Sequence, residues 1–257
     1  MGRSISFYTQ KGSKSAKTVV FLHGFLEDSS IWESISNVLS RDYRVLCIDL
    51  LGHGKTPVIS SVHTMEMMAE EVNVVLEDEG IEMCTLVGHS MGGYVSLAFG
   101  ELFPEKIEGL VLLNSTPLPD SEEKKANRDR VLKVIEKEKE LFVRTAVNNL
   151  VSEENRTKIK SALERLVQIG LCTPNEGIVA ASLGMKERPN RTSVLKSLAI
   201  KRGFILGKSD ALISYEEMES LAKTLAMECE VLSGGHLVYI ENESDTIEVL
   251  RNFLQSL

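Results

Sequence analysis

What this chain has least of is equipment for membranes, metals and oxidised cysteines. No stretch approaches the roughly 20 consecutive apolar residues that a membrane span needs. The start of the chain has no apolar stretch of the signal-peptide kind, which predicts a cytoplasmic protein. Its four cysteines, Cys47, Cys84, Cys172 and Cys229, are scattered without metal-ligand spacing or a disulfide framework, so buried, reduced thiols are expected. No cluster of acids and histidines suggests a metal, and no cofactor of any kind is expected. Positive charge is in deficit: 29 Lys and Arg face 37 Asp and Glu, a net charge of −8 with a pI near 5.3. That balance argues against nucleic acid and against anionic membrane surfaces as partners. Repeats and low-complexity segments are absent.

What is present is an ordinary globular composition, 43% hydrophobic and 26% charged over 257 residues, enough for one α/β domain with an insertion. Apolar runs recur at Ile5–Tyr8, Val19–Leu22, Val45–Ile48, Thr85–Val87, Leu110–Leu113, Phe204–Leu206 and Val231–Leu232. They are near-continuous rather than alternating, as strands buried on both faces are. Between them lie helical spacings: Ile31, Ile35, Val38 and Leu39, then Met65, Met68, Val72 and Leu76. The methionine stripe reads as core packing. Alternating strands and helices predict an α/β fold with a doubly wound, mostly parallel sheet. Only one candidate strand precedes Val19, so a shortened N-terminal hairpin is expected. The pattern breaks at Asn114-Ser115-Thr116-Pro117. From there to about Ala199 the chain is charged and helix-prone. We therefore expect a core made of residues 1–116 and 201–257, with a helical cap at 117–200. Lys124 to Glu140 interleaves both signs of charge as a solvated helix face does, and Phe142, Val143, Ala146, Val147 and Leu150 are spaced to face inward.

The chemistry concentrates at Gly88-His89-Ser90-Met91-Gly92. Thr85-Leu86-Val87 before it is β-prone and apolar; Met91 to Leu102 after it carries Val95, Ala98 and Leu102 at helical spacing. Strand, sharp turn and helix are the context that makes G-x-S-x-G a nucleophile elbow. The two glycines are required where strand and helix pass closely. Ser90 is then lifted clear of the sheet, and the Met91 amide points at whatever the serine attacks.

Elbows of this type are followed along the chain by an acid and then a histidine. Of five histidines, only His236 lies beyond Ser90. It sits on a glycine loop, Ser233-Gly234-Gly235-His236, after the last apolar run. His23, His53, His63 and His89 read as satisfied turn or strand-end residues. Three aspartates lie between Ser90 and His236: Asp120, Asp129 and Asp210. The first two flank the charged helix and read as solvated. Asp210 follows the strand Phe204–Leu206 and Gly207, at the end of a sheet where open α/β folds place functional groups. The expected catalytic residues are Ser90, Asp210 and His236.

Taken together, His23-Gly24-Phe25, Asp49 to Thr56 with its Gly52-His53-Gly54, the elbow, Gly207-Lys208-Ser209-Asp210 and Gly235-His236 run in the order found in the α/β-hydrolase superfamily. The chain resembles its small single-domain serine hydrolases from about residue 17 to the C-terminus; the segment 117–200 matches only in being helical. The resemblance implies an oxyanion hole from the amides of Met91 and Phe25, with Leu26 the alternative to Phe25, and cleavage of small soluble carboxylic esters through an acyl-enzyme. Leu26, Trp32, Tyr94, Phe142 and Leu237 are the expected pocket wall. The same branch holds carbon–carbon hydrolases, perhydrolases and menaquinone-pathway synthases; the synthases tend to carry an arginine where this chain has Tyr94. A different class, a ligand receptor or scaffold with negligible turnover, would keep the fold without the chemistry. A small-molecule ester is the expected partner, with the chain acting as a monomer or homodimer.

Overall fold

The computed structural model describes residues 4–257. Seven strands form one sheet: β1 (Tyr8–Lys11), β2 (Thr18–Leu22), β3 (Arg44–Ile48), β4 (Cys84–His89), β5 (Ile107–Leu113), β6 (Lys201–Gly207) and β7 (Glu228–Leu232), in the spatial order β1-β3-β2-β4-β5-β6-β7. Only β1 runs antiparallel, with Tyr8 opposite Ile48; every other neighbouring pair is parallel. The central strands are buried throughout because helices cover both faces, and successive residues serve opposite sides. In β2, Val20 and Leu22 join one core with Met65, Val72, Val95 and Met218, while Val19 and Phe21 join another with Ile35, Leu39, Leu250 and Phe253.

The helices that supply those faces are α1 (Glu33–Leu39), α2 (Met65–Asp78), α3 (Met91–Leu102), then after a long excursion α8 (Tyr215–Leu225) and α10 (Glu243–Gln255), with a short α9 (Val238–Glu241) between β7 and α10. The methionine stripe is core, as its spacing predicts: Met65 and Met68 of α2 are buried with Val72 and Leu76, and Thr64 caps the helix by accepting from the Met67 amide. The excursion between β5 and β6 consists of α4 (Glu122–Asn148), α5 (Lys160–Cys172), α6 (Asn175–Lys186) and α7 (Thr192–Ser197). Helix α4 is interrupted at Glu138, which has φ −136° and ψ 38°.

Two expectations need correction. The first strand begins at Tyr8 rather than Ile5, because the amides of Ile5 and Ser6 donate to the Glu71 carboxylate of α2 instead of to a strand. Those donors are spent on a helix side chain, so no ladder forms until Tyr8 meets β3. Second, the cysteines are not uniformly buried: Cys47 and Cys84 are, Cys229 is half-buried and Cys172, at the end of α5, is exposed.

Candidate functional site

Ser90, Asp210 and His236 each follow the C-terminal end of a parallel strand, at one edge of the sheet. Ser90 joins β4 to α3 with φ 49° and ψ −113°. A non-glycine residue in such a conformation costs about 1–3 kcal/mol, which the surroundings must offset. They do so directly: the Ser90 amide donates to the Leu113 carbonyl at 3.0 Å, and Ser115 Oγ donates to the Ser90 carbonyl at 2.8 Å. The flanking glycines are required by distance. A Cβ on Gly88 would stand 2.4 Å from the Gly92 carbonyl oxygen, and one on Gly92 would stand 2.3 Å from the Leu22 carbonyl oxygen.

Asp210 follows β6 and His236 follows β7. His236 Nδ1 stands 2.7 Å from Asp210 Oδ2, and both side chains are almost wholly buried. The same oxygen accepts from Asn114 Nδ2 at 2.7 Å, while Oδ1 accepts from the Leu212 and Ile213 amides at 2.8 and 3.2 Å. Burial by itself pushes Asp210 upward; the His236 charge and the hydrogen bonds from His236, Asn114 and Leu212 outweigh it and hold the carboxylate below its ordinary value. With Nδ1 engaged, Nε2 is the His236 nitrogen left to serve the cavity, which Ser90 and His236 both line.

The competing aspartates are elsewhere. Asp129 pairs with Lys186 at 2.8 Å on the surface. Asp120 is buried, not solvated as its sequence context suggested, because two arginines neutralise it: Arg188 Nη1 at 2.7 Å and Arg128 Nε. Arg188 in turn lies 3.9 Å over the Tyr94 ring.

The loop after β2, His23 to Glu27, faces the elbow. Leu26 takes φ 64° there, and the amides of Phe25 and Met91 donate to no described residue. Glu27, which the sequence did not single out, is the buried organiser of this corner. Its Oε2 accepts from the Gly24 amide at 2.6 Å and stands 2.9 Å from His89 Nδ1; its Oε1 accepts from the Tyr239 hydroxyl at 2.8 Å. His89 Nε2 is 3.0 Å from the His236 carbonyl. Burial pushes Glu27 up, but the His89 charge and these donors overcome it and bring it down to about 2. Burial opposes a charged His89, and Glu27 reverses the balance, so its value is raised. His53, buried and beside His23, is pushed down to about 3.

The cavity over Ser90 measures about 340 Å³ and is lined on one side by Phe25, Leu26 and Tyr94, and on the other by Val131, Phe142, Ala146 and Leu150 of α4 and the turn after it. Leu26, Tyr94 and Phe142 are therefore brought to Ser90. Trp32 and Leu237 are not in the lining: Trp32 packs against Phe21 and Tyr239 at 5.0 and 5.2 Å, and Leu237 is fully buried in the same core. The charged face of α4 is not simply solvated either, since Lys124, Asn127 and Arg128 line the same cavity. A larger hollow of about 460 Å³, bordered by Phe7, Lys11, Asp49 and Cys172, contains neither Ser90 nor His236. Among the described residues no group of three His, Cys, Asp or Glu could hold a metal ion, and no helix is long and apolar enough to cross a membrane.

The histidine loop is also fastened to the helical excursion. The His236 amide donates to the Leu150 carbonyl at 2.7 Å, and Glu241 accepts from the Gly235 amide, Ser152 and Asn155. At the other end of α4 a single exposed bond crosses to the Asp210 loop, from Lys124 Nζ to the Leu212 carbonyl at 3.0 Å.

A seven-stranded, mostly parallel sheet with a strained serine between β4 and α3 defines an α/β-hydrolase architecture. The chain belongs to that family: the model described as alpha/beta hydrolase fold matches residues 17–160. The chain is a hydrolase. It is similar to a thermophilic esterase from Thermogutta terrifontis, solved with malate bound, at 32% identity and a TM-score of 0.93, covering 98% of this chain and 93% of that one. Among curated relatives, "Putative carbamate hydrolase RutD" of Yersinia enterocolitica is 26% identical over 96% of this chain and 90% of its own length. "Putative 2-succinyl-6-hydroxy-2,4-cyclohexadiene-1-carboxylate synthase" of Bacillus subtilis is 26% identical over 96% and 93%.

Proposed function

We propose that this hydrolase cleaves small soluble carboxylic esters with Ser90 as nucleophile, His236 as general base and acid, and Asp210 as the group that orients His236. The observation that carries the reading is the buried 2.7 Å pair of His236 and Asp210 beside a serine held at positive φ. Ser90 Oγ attacks the carbonyl carbon while His236 Nε2 takes its proton. The amides of Phe25 and Met91 receive the developing oxyanion. His236 then protonates the departing alcohol, and a water deprotonated by His236 releases the acid from the acyl-enzyme. Each oxyanion donor is worth about 3–4 kcal/mol in comparable sites. Residues 117–200 act as the cap that closes the acyl pocket over a core of 1–116 and 201–257. The esterase similarity at 32% identity favours ester over carbon–carbon chemistry.

Ser90→Ala tests the assignment. It should abolish labelling by an organophosphonate and lower kcat by about four decades or more; near-normal turnover in that variant would sink the nucleophile.

A second reading keeps the same three residues but gives them an acidic substrate, as in a synthase of the kind named for the Bacillus subtilis relative. Arg128 and Lys124 in the cavity wall favour it. A screen of carboxylated against neutral substrates separates the two.

A further inference from the structure

Behind the proposed triad lies a second carboxylate–histidine pair with no role in the chemistry above. His89 is the variable residue of the elbow motif, and nothing in G-x-S-x-G requires a titratable group there. Yet its ring is fully buried and both nitrogens face acceptors. Nδ1 meets a carboxylate oxygen of Glu27 at 2.9 Å, and Nε2 meets the carbonyl oxygen of His236 at 3.0 Å. A backbone carbonyl can only accept, so Nε2 must carry hydrogen. The Glu27 oxygen already accepts from the Gly24 amide, and its partner oxygen accepts from Tyr239, so the carboxylate behaves as an acceptor on every side. A neutral imidazole has one N–H and could satisfy only one of its two contacts.

We infer that Glu27 and His89 form a permanently ionised buried pair, and that the His89 imidazolium, donating from both nitrogens, acts with Glu27 as a positioning device for the active site. The inference rests on the triad reading for its consequence and on geometry alone for the charge state. Three segments meet at this pair. Glu27 fixes the Gly24 amide, and with it the turn that aims Phe25. His89 is part of the elbow. Its Nε2–H holds the backbone of His236. One ion pair thus sets the spacing of nucleophile loop, oxyanion loop and base loop. The charged and titratable groups that face His89 are Glu27 and Tyr239, with His236 at a ring-centroid distance of 5.0 Å and Asp210 beyond it. Trp32 closes the remaining side edge-on. Tyr239 donates to Glu27, so the pair sits in a closed set of donors and acceptors. Buried ion pairs of this kind are costly to break by removing one partner, which suits a part that must not move.

Glu27→Gln is the informative change, because it keeps shape while removing the charge. Neutral His89 must then abandon either the residue-27 contact or the His236 carbonyl. We expect kcat to fall about tenfold or more, the loss of a charge-assisted hydrogen bond expressed in rate, with KM changing much less, and Glu27→Asp to recover part of kcat. A role confined to holding the fold together would lower only the active fraction, so kcat is taken per active site titrated with the organophosphonate; a loss that disappears on that basis overturns the positioning role. The charge state is read without any variant: long-range proton–nitrogen spectra of the histidine-labelled wild-type protein should show both His89 nitrogens protonated at about pH 8, where an ordinary histidine is neutral. A neutral His89 at about pH 8, or an unchanged kcat in Glu27→Gln, overturns the inference. If His89 proves charged while Ser90→Ala retains full activity, the triad reading fails and the ion pair stands.

Discussion

The pH dependence of stability follows from Glu27 more directly than from any other side chain. In the folded chain it stays ionised down to about 2, against about 4.5 for an ordinary glutamate. A depressed carboxylate stabilises the fold fully above the unfolded value and loses that contribution as pH falls through the folded one. The window is therefore about 4.5 down to about 2, and the contribution lost is about 3 kcal/mol. His89 has the opposite sign: its raised value adds stability that is complete below its ordinary 6.5 and disappears as pH rises through the raised value. Urea titrations from pH 7 to pH 2.5 should show the wild type losing more stability below pH 4.5 than Glu27→Gln does; parallel curves would refute the assignment. Asn114 is the other residue to test. It shares Oδ2 of Asp210 with His236, so Asn114→Ala should lower kcat by about tenfold while Ser90 still labels. Asp210→Asn should be far worse, about four decades, since it favours the wrong histidine tautomer. Neither Glu27 nor Asn114 was legible in the sequence. Glu27 lies in a loop whose readable signal was the glycine beside it, and Asn114 was visible only as the place where a strand pattern ended.

At the scale of elements, the elbow is a three-body contact rather than a turn. β2, β4 and α3 approach so closely that Gly88 and Gly92 mark backbone surfaces in contact. Gly88→Ala should therefore destabilise the whole protein, by about 1–3 kcal/mol as at an overpacked core site, and lower the thermal midpoint; a midpoint within about one degree of wild type would show that the contact relaxes. The strands and helices of the core were readable because burial on both faces writes continuous apolar runs, and because helices such as α2 repeat at 3.6 residues. The long excursion was readable as helical, but not which of its side chains line the cavity. Lys124 and Arg128 look like any solvated pair of charges in sequence, and only the folded position of α4 turns them toward Ser90. Trp32 and Leu237 failed for the converse reason: a large apolar residue near a motif is more often core than pocket, and both are core here.

For the whole molecule, the proposed ester chemistry makes cavity size the expected determinant of selectivity. About 340 Å³ is at the low end of ligand pockets, which span about 300–1,000 Å³. Each buried methylene adds about 0.8 kcal/mol only while room remains. The ratio kcat/KM for p-nitrophenyl esters should rise from acetate through the short chains and then fall well before palmitate. A steady rise to palmitate, or activation at an oil–water interface, would favour a lipase instead. The mostly parallel sheet, the position of Ser90 and the pairing of His236 with Asp210 followed from the strand pattern and the motif order along the chain. The pocket did not, since its walls come from segments far apart in sequence that carry no motif.

The fastening of the histidine loop ties down the end of α4, while α6 and α7 are anchored separately to the core by the His63–Ala180 backbone bond and by Arg191 with Glu66 and Glu101. The tie at the end of α4 is the stretch from Leu150 to Asn155, bonded to the His236 and Gly235 amides and to Glu241; swinging that side would drag the base away from Ser90. The start of α4 is held by the exposed Lys124–Leu212 bond together with the Asp129–Lys186 and Arg128–Asp120 ion pairs, and the break at Glu138 divides the helix between its two ends. On the proposed reading, substrate would pass by the start of α4, near Lys124 and Arg128, while the tie of Leu150 to His236 stays in place. Hydrogen exchange should find the amides of 124–136 opening well before those of 143–150. Lys124→Ala, by removing one of the bonds that hold the start of α4, should speed substrate entry and product release while leaving the His236–Asp210 geometry in place.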